Sequence, residues 1–472
     1  MRKTKIICTL GPSSSDEDTL REMLVSGMNI ARLNFSHGTH ENHKLLIDTF
    51  RKVRDSLNLP AAVMLDTKGP EIRLGVFENK SVFLENGSYF TLTSDDILGN
   101  EERVSVSYKD LPSQVFPGNK ILIDDGNILL EVSEIKNHDV ICKVLVGGKI
   151  SDRKGVNVPN VHLDFPYLSE QDKSDLIFGV EQDVDFIAAS FVRSKEDVIS
   201  IRDFLNYHGG NEIKIISKIE NIEGVNNFDE ILHYSDGIMV ARGDMGVEVE
   251  FERLPGLQKK FIKKCYQAGK MVITATQMLE SMIHNNTPTR AEITDVANAV
   301  FDGTSAIMLS GESAVGEHPA LVVKVMAKIA LQAEKDAFDM DIYNGIKYEN
   351  DINDTTNAIC DAACTTARDV NASAIFAVTK TGHTARAVSK FRPREIIIAS
   401  TPEYKAYHQL SLSWGVYPIK ALYQTDINVL FNHSINIAKK LGYVKNNDRV
   451  VITSGSDNIT DILKVMTVED SQ

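Results

Sequence analysis

Short apolar runs alternating with amphipathic stretches organise most of the chain. Lys5–Leu10, Asn29–Leu33, Ala61–Leu65, Phe186–Ala189, Ile213–Ser217, Gly237–Ala241, Met271–Ala275 and Ser305–Leu309 are strand-length and rich in aliphatic residues. A helical stretch follows each, as in Asn221–Tyr234, where Val225, Phe228, Ile231 and Leu232 recur on one face. Eight strand–helix units predict a (β/α)8 barrel of parallel strands. From about Glu71 to Pro166 the alternation stops and only short period-two runs remain, which predicts an all-β insertion after the third strand. Asn86-Gly87 and Asp125-Gly126 predict hairpins inside it.

Beyond a helix through Leu321–Phe338, the polar segment Asp341–Asn353 predicts a linker. Helix Thr355–Val370, strand Ala374–Val378, helix Thr384–Phe391, strand Ile396–Ala399, helix Ile427–Leu441, strand Arg449–Thr453 and a strand near Ile462–Val465 then predict an open α/β sheet. The expected organisation is a barrel over residues 1–70 and 167–340, a β lid over 71–166, and an α/β domain over 341–472.

Composition narrows the classes. With 43% hydrophobic and 25% charged residues the chain reads as globular, and its net charge of −14 argues against a nucleic-acid surface. Clustered basic side chains are the more informative against that background. No apolar run approaches membrane-spanning length, and Gly11-Pro12 interrupts the N-terminal run too early for a signal sequence. Five cysteines without a CxxC pair suggest buried thiols in a reducing compartment, hence a cytoplasmic protein.

The polar residues at strand ends carry the candidate chemistry, because active sites of such barrels lie at the carboxyl ends of the strands. Strand two offers Arg32, Asn34 and Ser36; strand three Asp66 and Thr67, with Arg73 soon after. Lys218 and Glu220 follow strand five, Arg242 and Asp244 strand six, Thr276 strand seven, Ser310 and Glu312 strand eight. Arg32, Arg73, Lys218 and Arg242 are read as anion-binding groups. Glu220 and Asp244 are hard oxygen donors of the kind Mg2+ takes alongside substrate oxygens. Asn34, Ser36, Asp66 and Thr67 are oxygen donors with one full charge; composition leaves open a large monovalent cation or a hydrogen-bonded network. Cations plus a divalent metal, with no evident nucleophile, point to phosphoryl transfer. Lys218 also has a rival role as a Schiff-base lysine.

The stretches NIARLNFSHG, MLDTKGPEIR, KGVNVP, ISKIEN, MVARGDMGVE, TATQMLESM, PTRAEITDVANAV and IMLSGESA resemble, in order and over the whole chain, those of the pyruvate kinase family. The resemblance implies a barrel, a mobile β lid, an α/β domain and a homotetramer that converts phosphoenolpyruvate and ADP to pyruvate and ATP. It implies Glu220 and Asp244 as ligands of Mg2+ (or Mn2+), and Lys218 as the group stabilising the transferring phosphoryl. Arg32 with the backbone of Gly243 and Asp244 would clamp phosphoenolpyruvate, and Thr276 would assist protonation of the enolpyruvate. Arg73, His37 and Lys154 would contact the nucleotide, and Asn34, Ser36, Asp66 and Thr67 would hold K+. Glu71 accompanies K+ dependence in the family, where lysine at that position goes with independence. A relative that only bound ligands would have lost Lys218, Glu220, Asp244 or Thr276, and all four are present.

Between a strand and a helix, Thr379, Lys380, Thr381, Gly382, His383 and Thr384 form a phosphate-cradle pattern. The resemblance implies a sugar-phosphate effector there. The segment Thr453–Asn458 is shorter than the loop that usually completes that site, and Asp457 would oppose a phosphate. Leu74 and Ser313 stand where threonine is usual in the family.

Overall fold

The computed structural model describes residues 1–343, 354–424, 426–456 and 459–469. Strands β1 (Lys5–Thr9), β2 (Ile30–Asn34), β3 (Ala62–Asp66), β4 (Phe186–Ala189), β5 (Lys214–Ile219), β6 (Gly237–Ala241), β7 (Met271–Ala275) and β8 (Ala306–Leu309) pair in parallel in chain order and close into a barrel. Strand β5 runs past its apolar segment because Lys218 and Ile219 continue the ladder opposite Met239 and Val240. The helical stretch after it divides into Ile222–Asn226 and Phe228–Tyr234 at Asn227, whose side-chain amide donates to Arg193 O (2.9 Å).

Alternation along each strand sorts its side chains. Ile7, Ile30, Met64, Ala188, Ile216, Met239, Ile273 and Met308 pack together inside the barrel, whereas Ile6, Ala31, Leu65, Ile187, Ile215, Val240, Val272 and Ile307 face the surrounding helices. The interior is therefore a packed apolar plug and not a pore. Anything polar two residues beyond it stands on that floor at the carboxyl end.

The insertion between β3 and helix Glu170–Glu181 has its own core, including Phe90, Leu92, Ile121, Leu130, Val140 and Cys142. Its main sheet has seven strands, ordered Ile72–Arg73, Gly155–Asn157, Lys120–Ile123, Ile128–Lys136, Asp139–Val146, Tyr89–Thr93, Arg103–Ser105. Asp125-Gly126 makes the expected hairpin, with positive φ at Asp124, Asp125 and Gly126. Asn86-Gly87 does not. The turn forms, but Ser81–Leu84 leaves to pair with Gly148–Ser151 while Tyr89–Thr93 pairs with Asp139–Val146. A one-turn helix, Leu111–Gln114, also interrupts the all-β pattern.

The C-terminal sheet has five strands where four were expected: β9 (Ala374–Val378), β10 (Ile396–Thr401), β11 (Val416–Lys420), β12 (Arg449–Ser456) and β13 (Ile459–Thr467), ordered β11-β10-β9-β12-β13. Pro418 hides β11 in the sequence, since proline weakens a strand reading; the strand lies at the sheet edge, where a missing N–H is tolerated. Ten residues of the expected linker, 344–353, and Asp457 in the shortened loop lie outside the described residues.

This sheet docks on the amino end of the barrel, opposite the candidate site. Leu412 joins the interior cluster and closes it from below. Lys5 Nζ donates to Val416 O (2.6 Å), and Lys3 Nζ donates to Glu395 O (2.7 Å). Gln409 Nε2 donates to Glu212 O (2.7 Å).

His408 lies in the same seam, 3.1 Å from Ala61 O through Nδ1, while its Nε2 is buried with no hydrogen-bond partner among the described residues. Burial, with Arg54 close by, pushes its pKa down to about 3. The neutral ring is what the fold accommodates, so its contribution is complete above about pH 6.5 and is lost as pH falls toward 3, by up to about 5 kcal/mol. The urea midpoint of the wild-type chain is expected to fall between pH 6.5 and 4 more steeply than that of His408→Gln. Parallel pH profiles would show that the imidazole is not the titrating group.

Candidate active site

Two residues above the apolar floor, the same alternation places Thr9, Arg32, Asp66, Ser190 and Lys218 at the carboxyl mouth, with Glu220 next along β5. Their side chains form one chain of charge. Asp66 Oδ2 accepts from Arg32 Nε at 2.6 Å, and Oδ1 accepts from Lys218 Nζ at 3.0 Å. Lys218 Nζ also lies 3.1 Å from Glu220 Oε1 and donates to Ser190 Oγ at 2.7 Å. Arg32 NH1 donates to Thr9 Oγ1 (2.7 Å), and Phe191 N–H donates to Glu220 Oε2 (2.7 Å). Sequence reasoning passed over Ser190 and Thr9, although both occupy strand-end positions that flag the others.

The electrostatics follow from burial against pairing. Burial favours neutral Asp66, but Arg32 and Lys218 outweigh it and hold the carboxyl below its ordinary value. Burial opposes charge on Lys218 too, yet Asp66 and Glu220 keep its pKa raised. An amine held protonated in this way is a poor nucleophile, which counts against the Schiff-base role. Glu220 is left short of positive charge: burial pushes it up to about 8, Lys218 opposing and Asp244 and Asp66 adding. A buried carboxyl raised by a neighbouring carboxylate is a site that a dication would relieve. No group of three or more His, Cys, Asp or Glu placed to hold a metal ion occurs among the described residues.

On the far side of the mouth, β6 runs into the short helix Arg242–Glu248, which carries Gly243 and Asp244. Gly243 N–H donates to Thr276 Oγ1 at 2.8 Å, which joins β6 to β7. Arg242 is not an anion-binding group at this mouth. Its position in the strand is out of phase with the interior, and it pairs with Asp295 at 2.7 Å on the helix side. Glu312 is likewise structural: it is buried and accepts from Leu279 N (3.0 Å) and Ser310 N (2.7 Å).

Asn34 and Asp66 are register partners on β2 and β3, and Asn34 Oδ1 accepts from Ser36 N at 3.2 Å. Thr67 Oγ1 accepts from Ser190 N at 3.2 Å. Ser190 links Asp66 to Thr67, Asn34 and Ser36 bond each other, and Asn34 retains acceptor capacity toward a cation. His37 is exposed at the rim, and its carbonyl is held by His43 Nε2 (2.8 Å). The lid cations are paired on the lid, Arg73 with Glu71 (2.7 Å) and Lys154 with Asp124 (2.6 Å).

The chain enters the lid past Gly69, at φ +70°, whose N–H donates to Asp172 Oδ1 (2.9 Å); a Cβ there would lie 2.7 Å from Ser190 O. The strand beside its entry strand touches the barrel, where Asn157 Nδ2 donates to Glu248 Oε1 (3.0 Å). In the C-terminal sheet the Thr379–Thr384 turn satisfies itself. Gly382 takes φ +82° and donates to Thr379 Oγ1 (3.1 Å), Lys380 O accepts from Thr401 Oγ1 (2.9 Å), Thr381 O accepts from Arg386 (3.0 Å), and Thr384 Oγ1 bonds Thr460 Oγ1 (3.0 Å).

Comparison with known proteins agrees with this construction. Residues 1–323 match the family model described as the pyruvate kinase barrel domain, and residues 357–466 that of its alpha/beta domain. The chain is 49% identical over 474 residues to a pyruvate kinase of Clostridium acetobutylicum, covering 99% of this chain and 100% of that one. It is 45% identical to one of Geobacillus stearothermophilus, covering 99% of this chain and 81% of that protein. The crystal structure of a pyruvate kinase from Cryptosporidium parvum superimposes with a TM-score of 0.92 at 41% identity, covering 99% of this chain and 96% of that one. With the fold and both halves of the chain in agreement, the chain belongs to the pyruvate kinase family, enzymes that move a phosphoryl group between phosphoenolpyruvate and ADP.

Proposed function

We propose that the mouth of the barrel transfers the phosphoryl group of phosphoenolpyruvate to ADP with Mg2+ (or Mn2+) and K+, and that the carboxyl ends of β2, β3, β5, β6 and β7 divide the work. The observation that carries the reading is the unbroken series Arg32–Asp66–Lys218–Glu220, which fixes two cations beside an acid that lacks a full counter-charge. Barrel residues 1–70 and 167–340 hold the site, residues 71–166 the lid, and 341–472 a domain for effector and subunit contacts.

Phosphoryl transfer between two polyanions is limited by their repulsion, so positioned positive charge does most of the catalysis. Arg32 and the backbone N–H groups of Gly243 and Asp244 hold the phosphate and carboxylate of phosphoenolpyruvate. Lys218, kept protonated by its two acids, faces the phosphoryl in flight. Glu220 and Asp244 would hold Mg2+, which when bound neutralises charge and polarises the transferring oxygens. Asn34, Ser36, Asp66 and Thr67 would hold K+ beside them. Thr276 orients water so that a proton reaches C3 of the enolate, which makes transfer to ADP effectively one-way. His37 and, on lid closure, Arg73 and Lys154 receive the nucleotide phosphates, and the closed lid excludes water.

The protein is expected in the cytoplasm as a homotetramer; among the described residues no helix is long and apolar enough to cross a membrane. A sugar-phosphate effector would bind through the Thr379–Gly382 turn, since Thr384 is turned toward Thr460.

A coupled assay of pyruvate formation tests the reading. Lys218→Met is expected to lower kcat by about a thousandfold with folding retained, and Glu220→Gln to raise the Mg2+ requirement at least about tenfold. An active Lys218→Met enzyme would remove the central role given to that amine. Exchanging K+ for tetramethylammonium is expected to cost most of the activity, and Glu71→Lys to reduce that dependence; equal rates in both salts would exclude the K+ site.

A further inference from the structure

By strict alternation Thr276 belongs with Val272 and Thr274 on the helix side of β7, yet its hydroxyl meets Gly243 N–H at the mouth. The backbone explains the reversal. Thr276 has φ +67° and Gln277 φ +52°, two consecutive L-residues in the left-handed region. A β-branched residue is a strong outlier there, and such strain persists only where the surroundings over-determine it.

The surroundings in question are one guanidinium. Arg242 Nε donates to Ala275 O (3.2 Å), and NH2 donates to Thr276 O (2.5 Å) and Gln277 O (3.2 Å), three successive carbonyls across the strained turn. NH2 also lies 2.9 Å from Met278 Sδ. NH1 is spent on both oxygens of Asp295 at 2.7 Å and on Gln258 Oε1 at 3.4 Å. Every nitrogen is engaged, so this arginine has no fork left for a substrate anion. The next residue completes the grip: the Gly243 N–H fixes the Thr276 hydroxyl, which donates in turn to Ala275 O at 2.6 Å. The first two residues of the helix after β6 thus hold the backbone and the hydroxyl of Thr276.

We propose that Arg242, anchored by Asp295, is a positioning residue that holds Thr276 in its left-handed conformation and so aims the hydroxyl for proton delivery. The inference rests on the role given to Thr276 above. A lysine lacks the planar fork needed to span three carbonyls and a carboxylate together.

The test follows steady-state turnover of phosphoenolpyruvate together with exchange of pyruvate methyl protons for deuterium in D2O, with Mg2+ and K+ present, in the full-length enzyme. Arg242→Lys and Arg242→Met are expected to lower kcat and the exchange rate together, by about a hundredfold, with KM for phosphoenolpyruvate within about threefold of wild type. Asp295→Asn, which leaves the arginine in place, is expected to lower both by about tenfold. A raised KM with unchanged kcat would make Arg242 an anion contact and overturn the proposal. So would full turnover and exchange in Arg242→Lys, or a lower melting temperature with normal kcat. A wild-type enzyme without turnover of phosphoenolpyruvate would defeat the functional reading itself, a separate failure.

Discussion

The site depends on one buried carboxylate. Asp66 is 0% exposed, and its two oxygens hold Arg32 on one side and Lys218 on the other. Ions taken out of water are stable only when each has its partners, and removing one member leaves the others uncompensated. Asp66 therefore sets the positions of both cations and helps keep Lys218 protonated. Two cations against one ionised acid leave a net positive charge that suits an incoming phosphate. Glu220 and Asp244 stand beside it as a second, acidic half that suits a dication. The apolar floor makes these effects large, because Ile30, Met64, Ala188 and Ile216 exclude water from beneath and Leu412 closes the opposite end.

Most of this was legible because a barrel strand imposes a period of two. Arg32, Asp66, Lys218 and Glu220 stand in phase with interior residues of their own strands, and strand-end position found all four. Position alone does not give direction, however. Arg242 also lies at a strand end, but Met239 and Gly243 are the inward positions, and Arg242 between them turns outward to Asp295. Thr276 is the converse case, a residue out of phase that reaches the mouth through a backbone departure no residue type announces. Ser190 was missed although in phase, because a lone serine after an apolar run carries no distinctive chemistry until Lys218 is seen against it.

Outside the barrel the pattern thins for identifiable reasons. Pro418 masks an edge strand, and Asn86-Gly87 makes a true turn between strands that part into different sheets, because local turn chemistry fixes the turn and not the partner. The Thr379–Thr384 turn was found as a loop–helix junction, but its bonds to Thr401 and Thr460 come from residues 21 and 76 positions away. Docking of the C-terminal sheet under the barrel was not legible at all: its contacts are largely side chain to backbone carbonyl, and every residue offers a carbonyl.

The ion pairs fall into two kinds, and the division bears on how a lid can work. Lys218 and Arg32 are each only 9% exposed in their side chains, against 1% for Asp66. On the lid, Arg73 is 37% exposed and Lys154 40%. Exposed pairs contribute little and exchange partners readily, whereas buried ones resist separation. Arg73 and Lys154 carry their own acids, Glu71 and Asp124, so these two cations present no uncompensated charge to the barrel carboxylates. A polyphosphate competes well for cations held that loosely, while it leaves the Asp66 pairs intact. The arrangement separates a permanent electrostatic frame in the barrel from an exchangeable one on the lid. Under the proposed function, a nucleotide would draw the lid closed without disturbing the groups on which the transfer depends.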